Sequence, residues 1–342
     1  MCVTSRLDAY LAEDGFKFLE YNAESPAGIA DQKLLAEIFF DLPYMREFFA
    51  RFPHTLPRPH VRLLDALIAA YKDWGGAEEC PSIGIVDWRG VSTESEFHVL
   101  AAYFESQGHT AFILDPDELE YNGARLMAGG RPVDILYKRV IIHEFLAKYD
   151  DMHPLVQAYR DGHVCMINSF RAKIVHKKAS FAVLSDERFA HLFTSQQQAI
   201  IARHIPWTRR LQQGSTTFEN EQRDLIELIT REQKRFVIKP NDDYGGEGVC
   251  LGGEVSADEW QMKIAEALGS LFVVQERAPV AHIRLPLFTT DLQSIEETNL
   301  IVDFDPFIFN NEVEGGMVRL TTGALSNVSA GANVAALVVL NS

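Results

Sequence analysis

From Ser82 to Leu114 the chain reads as a strand, a helix and a second strand in close succession, and no other stretch restricts the fold as strongly. Ser82-Ile83-Gly84-Ile85-Val86-Asp87 is a short apolar strand, Glu94 to Gln107 has helical periodicity ended by Gly108, and Thr110 to Leu114 is apolar again. Strands joined by a helix run parallel, and a parallel sheet needs helices to cover it. Asp134-Ile135-Leu136-Tyr137 is expected to add a further strand to this α/β lobe.

The flanks differ in texture. Alternation from Ser5 to Asn22 predicts two strands around a Glu13-Asp14-Gly15 turn. Ala30 to Phe52 reads as helical, Pro53 to Pro59 breaks it, and Val61 to Tyr71 reads as another amphipathic helix. Past Cys165, strands are expected at Phe236–Lys239, Leu271–Gln275, Leu300–Asp303, Gly316–Leu320 and Ala335–Leu340, with a helix over Asp258–Leu268. That mixture is α+β in style. The expected units are therefore 1–75, 76–160 and 161–342, and 342 residues at 47% hydrophobic content supply enough apolar surface for them.

Charge narrows the function. With 48 acidic against 32 basic residues the formal net charge is −16, and no Lys/Arg run offsets it, so nucleic acid is not an expected partner. No apolar stretch reaches membrane-spanning length and no leader pattern opens the chain, which points to a cytoplasmic protein without a membrane partner. The four cysteines are scattered and the eleven histidines dispersed, so no transition-metal site is expected. A homodimer is the default oligomer.

Four segments could carry chemistry. In Lys239-Pro240-Asn241-Asp242-Asp243-Tyr244-Gly245-Gly246-Glu247-Gly248-Val249 a strand delivers a lysine and a glycine-rich loop follows. Glycines let backbone N–H groups converge on an anion, and the lysine adds a point charge for phosphate. The same run also suits an ordinary hairpin, and it is no Walker A loop. Glu20 and Asn22 lie two apart on one strand and share a face, with Asp8 on the partner strand. Two carboxylates and an amide make an oxygen-only site of the kind magnesium takes beside phosphates; on its own the pattern equally describes a solvated polar face. Phe272-Val273-Val274-Gln275-Glu276 could offer backbone groups to adenine and a carboxylate to ribose, or be a surface turn. In Gly315-Gly316-Met317-Val318-Arg319-Leu320 an arginine interrupts an apolar strand, which is costly unless it meets an anion or a carboxylate.

Taken together, these segments resemble the ATP-grasp superfamily. Arg6-Leu7-Asp8, Glu20-Tyr21-Asn22 and Pro26-Ala27-Gly28 look like the R-x-D, E-x-N and P-x-G signature that normally closes an ATP-grasp domain. Here that signature comes first, and the lysine strand, glycine loop, Gln-Glu hinge and arginine strand follow. This order is similar to the circularly permuted ATP-grasp proteins related to glutathionylspermidine-synthase-like ligases, with the α/β lobe in the place of a pre-ATP-grasp lobe. Asn327 to Gly331 falls where the ordinary fold would run on into Arg6.

The resemblance implies an ATP- and Mg2+-dependent ligase joining a small-molecule or peptide carboxylate to an amine or thiol through an acylphosphate. Asp8, Glu20 and Asn22 would bind the metal. Lys239 and Lys178, with Lys177 as a substitute for the latter, would contact the nucleotide. Tyr244, Gly245, Gly246 and Gly248 belong to the loop that would close over the phosphates, Gln275 and Glu276 would face adenine and ribose, and Arg319 with Lys239 would act in phosphoryl transfer. His54 to Arg58 and His282 to Asp291 are the expected substrate loops. The alternative is an ATP-binding module that has lost turnover and serves as scaffold or sensor.

Overall fold

The structure is a computed structural model that describes residues 2–243, 246–288, 294–323 and 332–341. The opening hairpin forms as expected. β1 (Thr4–Ala12) and β2 (Gly15–Asn22) pair antiparallel, with Arg6 opposite Asn22, Asp8 opposite Glu20 and a bulge after Asp8. Gly15 closes the turn at φ 123°, a region that side chains avoid. The stretch read as one helix over 30–52 is two, α1 (Ile29–Asp41) and α2 (Pro43–Arg51). Leu42 between them is extended, the conformation that a following proline imposes. α3 (Pro59–Trp74) follows the expected break.

The middle of the chain is the expected α/β lobe. β3 (Ile83–Val86), α4 (Glu94–Ser106), β4 (Ala111–Leu114), β5 (Ile135–Lys138) and β6 (Cys165–Ile167) build a parallel sheet in the order β6-β5-β3-β4. Alternate residues separate its two cores. Ile83, Ile85, Ile135 and Tyr137 face Leu63 and Leu67 of α3 and Phe97 and Phe104 of α4, while Val86, Leu114 and Leu136 face Phe145 and Leu155. The first of these cores also takes in Ile29, Phe307 and Phe309, so it joins the lobe to the opening hairpin's sheet.

Two short helices, α5 (Ala172–His176) and α6 (Ala179–Ser185), and α7 (Ser195–His204) lead into a second, antiparallel sheet. Its strands are β7 (Thr208–Arg210), β8 (Phe236–Pro240), β9 (Cys250–Leu251) and β10 (Phe272–Glu276), in the order β7-β10-β8-β9. One face packs on a core around the fully buried Trp260 of the Ala257–Leu268 helix, whose indole N–H donates to the Ile229 carbonyl at 2.9 Å.

The largest sheet draws on both ends of the chain. β11 (His282–Phe288), β12 (Ile295–Phe309), β13 (Glu312–Thr321) and β14 (Asn333–Ala335) join the hairpin in the order β2-β1-β12-β13-β14, with β11 also paired to β12. The strand expected at Leu300–Asp303 is therefore a fragment of a 15-residue strand. The strand expected over Ala335–Leu340 does not form as one piece: β14 stops at Ala335, and Val339 and Leu340 pair instead with Thr55 and His54. No described helix is long and apolar enough to cross a membrane.

Candidate functional site

β1, β2, β12 and β13 are neighbours, and their register gathers Asp8, Glu20, Asp303 and Arg319 on one face. Asp8 lies opposite Glu20, Tyr10 opposite Asp303, and Asp303 opposite Arg319. The face is closed off from solvent: Arg6, Asp8, Asp303, Asp305 and Arg319 are all buried. Charges can be held there only in pairs. Arg6 meets Asp8 through two hydrogen bonds of 2.8 Å, and one Arg319 nitrogen lies 2.7 Å from Asp303, 2.7 Å from Asp305 and 3.1 Å from Asp8. Burial opposes the charge of Asp8, yet Arg6, Arg319 and the Asn22 amide bring its carboxyl down to about 2, so it is an anion at neutral pH. Asp305, fully buried and beside both Asp8 and Asp303, is pushed well above the ordinary carboxylate range.

The three residues expected to hold a metal come together. Asn22 Nδ2 donates to Asp8 Oδ1 at 2.8 Å and to Glu20 Oε1 at 3.3 Å, so both carboxylates converge on the donor end of a neutral amide, whose oxygen would face a cation only once the amide turns over. Two carboxylates and an amide around one point fit a hard divalent cation such as Mg2+. Among the described residues there is no group of three His, Cys, Asp or Glu arranged as a metal site, and this candidate consists of two carboxylates and the Asn22 amide.

Facing the hairpin is the open side of the second sheet. Lys239 on β8 donates to Gln275 Oε1 at 2.8 Å, and burial lowers its pKa to about 8 although Glu20 pulls the other way. Lys178, between α5 and α6, lies 3.2 Å from Glu20 and donates to the Asp243 carbonyl at 2.5 Å. Lys177 points elsewhere, 3.6 Å from Asp242, whereas Lys178 lines the charged cavity beside Lys239. Gly246 and Gly248 take φ 77° and 70°, and a Cβ on Gly248 would stand 2.7 Å from the Pro240 ring, so the backbone path of this loop requires glycine. Tyr244, Gly245 and the segment Asn327 to Gly331 lie outside the described residues, as does part of the expected substrate loop after Phe288.

Between the two sheets lie two adjoining cavities that share Tyr10, Leu19, Lys239 and Val249. One, of about 80 Å3, is charged and lined by Asp8, Glu20, Lys178, Lys239, Asp303 and Arg319. The other, of about 90 Å3, is mainly apolar, with Val237, Leu251 and Ile301 on its walls and Gln275 to Ala278 along its edge. Gln275 and Glu276 border the apolar slot, but their side chains are engaged: the Gln275 amide holds Lys239 and the Thr208 hydroxyl, and the Glu276 carboxylate is 2.8 Å from Arg235. A wider cleft of about 540 Å3 lies on the other side of the hinge, against α7 and Trp207, away from the charged face.

Four contributors escaped the sequence reading. Asp303 and Asp305 sit two apart in a strand whose other inward residues are apolar, and that spacing was the available signal. Glu24, buried just past β2, holds Lys138 at 3.7 Å and Lys173 at 2.8 Å, and Lys173 in turn lies 2.5 Å from Asp242 at the start of the glycine loop. Asn168, fully buried at the end of β6, accepts from Val3 and Thr4 N–H and donates to the Thr4 and Ala23 carbonyls, bolting the hairpin to the middle lobe. The four cysteines are free thiols.

No family model and no curated protein matches the sequence. Solved structures do match. A glutathione-synthetase-like effector, GSS30, from Globodera pallida in its apo form superposes with a TM-score of 0.60 at 13% identity, over 98% of this chain and 74% of that one. A putative gamma-glutamylcysteine synthetase from Methylobacillus flagellatus KT gives 0.56 at 11% identity, over 98% and 80%. At such identities the likeness establishes the fold: a mixed α/β architecture of ATP-grasp-like form.

Proposed function

We propose that this chain binds ATP with Mg2+ between its two β-sheets and uses it to join a carboxylate to an amine or thiol. The observation that carries the reading is the pair of adjoining cavities, apolar beside the hinge strand and charged beside the hairpin. A planar base suits the first and a polyphosphate with its cation suits the second. The strand order supports a circular permutation of the ATP-grasp fold, since the metal hairpin precedes the lysine strand and the middle lobe stands between them. Of the two structural neighbours named above, one is described as glutathione-synthetase-like and the other as a putative synthetase, which agrees with ligation.

In this reading Lys178 and Lys239 bind the phosphates as point charges. Arg319, across the cavity, meets the terminal phosphoryl group as it passes from ATP to the substrate carboxylate, releasing ADP and giving an acylphosphate from which the amine or thiol then displaces phosphate. Asp8, Glu20 and Asn22 would hold the Mg2+ ion, which supplies charge neutralisation at the phosphates. The loop around Gly246 and Gly248 covers the site and keeps water from the acylphosphate. The substrate is a small-molecule or peptide carboxylate.

The first test is thermal unfolding with ATP or ADP, with and without Mg2+, in the wild type and in Glu20→Ala. A nucleotide shift that requires Mg2+ and weakens in the variant is expected. A folded protein that shifts with no nucleotide would overturn the reading. Phosphate release screened over carboxylate and amine pairs then separates a ligase from a module that only binds.

A further inference from the structure

We infer that Asp303 and Asp305 are positioning residues for Arg319, holding its guanidinium from the neighbouring strand when Asp8 turns to a metal ion. The inference rests on the nucleotide reading above. Its starting point is a conflict within the site. Asp8 is bound to Arg6 by two hydrogen bonds and to Arg319 by one, at 3.1 Å, and the same carboxylate is the one that must face a cation. A cation taking Asp8 weakens its hold on Arg319. Left to itself, a long side chain in a buried site would then turn towards another carboxylate or lose its fixed position.

β12 removes the difficulty. Asp303 is directly opposite Arg319 in the β12–β13 ladder, and Asp305, two residues on, shares its face. Both lie 2.7 Å from the same Arg319 nitrogen, nearer than Asp8, and both are almost fully buried, so their own side chains have little freedom. Three carboxylates therefore share one guanidinium nitrogen, and two of them belong to a strand that supplies none of the expected metal ligands. Arg319 Nε and Asp305 Oδ2 are buried and have no hydrogen-bond partner among the described residues, so Asp305 meets the guanidinium as a charge contact and not as a hydrogen bond. Asp303 also lines the charged cavity, so it stands where it can fix the direction of the arginine, whereas Asp305 supports it from behind.

The arrangement predicts a specific signature. Arg319 acts on the terminal phosphoryl group, so its placement should affect a triphosphate analogue more than a diphosphate. Binding of Mg·AMP-PNP and Mg·ADP is measured by titration calorimetry for the wild type, Asp303→Asn, Asp303→Glu and Asp305→Asn, each checked for folding by its melting curve. The wild type should prefer AMP-PNP, and Asp303→Asn should lose about tenfold in AMP-PNP affinity with little change for ADP, as expected for one misplaced charge-assisted hydrogen bond. Asp303→Glu keeps the carboxylate and should recover part of the preference, which also serves if the asparagine variant fails to fold. Equal losses for both nucleotides would show a merely structural role and overturn the inference, as would an unchanged preference. A folded wild type that binds neither nucleotide would instead bring down the nucleotide reading itself, and this inference with it.

Discussion

Replacing Lys239 with methionine should make the protein more stable at neutral pH while abolishing its response to nucleotide. Lys239 is buried between the two sheets, and desolvation brings its pKa from 10.5 to about 8 despite attraction from Glu20 and Asp8. At neutral pH the folded chain must therefore carry a charge it disfavours. The drop corresponds to ~3 kcal/mol at about 1.4 kcal/mol per pH unit. Methionine removes this penalty but leaves the Gln275 carbonyl oxygen without its 2.8 Å donor, a loss of ~1 kcal/mol. The net gain of ~2 kcal/mol over a chain of this size is a rise of about 3 °C in Tm.

The pH dependence fixes the cause. Between about 8 and 10.5 the unfolded chain keeps the lysine proton and the folded chain does not, so wild-type stability rises with pH across that window. The advantage of Lys239→Met is full below pH 8, should reach zero at about pH 10 as the charge penalty falls to the worth of the lost Gln275 hydrogen bond, and should reverse above it. Thermal unfolding of both proteins from pH 6.5 to 10.5 measures it, with Mg·ATP added in a parallel series. A variant that melts below the wild type at pH 7, or a gap that does not close as pH rises, would refute the account of Lys239 as a group held in place against its own stability.

Two further substitutions probe the same region. Asp8→Asn should cost ~2 kcal/mol at pH 7, the worth of a carboxyl held at about 2 instead of 3.8. Because that pKa is depressed, the contribution is complete above pH 3.8 and fades as pH falls through 2, so acid titration of wild type and variant should converge there. Gly28→Ala places a residue at φ 94° with its Cβ 2.9 Å from the Met317 sulfur, and a loss of ~2 kcal/mol in denaturant unfolding is expected; a neutral result would mean that the Pro26–Gly28 turn is free to relax.

Much of the scaffold was legible because its signals are local. The Glu13-Asp14-Gly15 turn and the alternation around it give the hairpin register almost directly, and the apolar strands of the parallel sheet stand out because both faces are buried. The long strand β12 was harder. Glu296 and Glu297 are exposed at its start and Pro306 interrupts it, so only its apolar middle reads as a strand. Pro306 is accommodated next to a register shift in the β12–β13 ladder, a tertiary detail that no local pattern announces. For the same reason Asp303 and Asp305 went unread: two acids in a strand suggest solvent, and their burial follows only from arginines on two other strands. Lys177 and Lys178 could not be told apart because the choice depends on how α5 and α6 meet the glycine loop.

The pairing of β1 with β12 has a consequence for how the chain reaches its final form. Arg6 meets Phe307 across that ladder, and Asp8 meets Arg319, so the charged face is assembled from partners separated by nearly the whole sequence. During synthesis the hairpin emerges about 300 residues before the part of β12 that it pairs with. Before then Asn168 ties it to the middle lobe through Val3, Thr4 and Ala23, and Glu24 adds ion pairs with Lys138 and Lys173. Contacts of such long sequence separation form late, after their loop entropy has been met by other structure. The second sheet and the Phe145 face of the middle lobe can close their cores beforehand, while the other core waits for Phe307 and Phe309, leaving the charged cavity among the last parts to take shape.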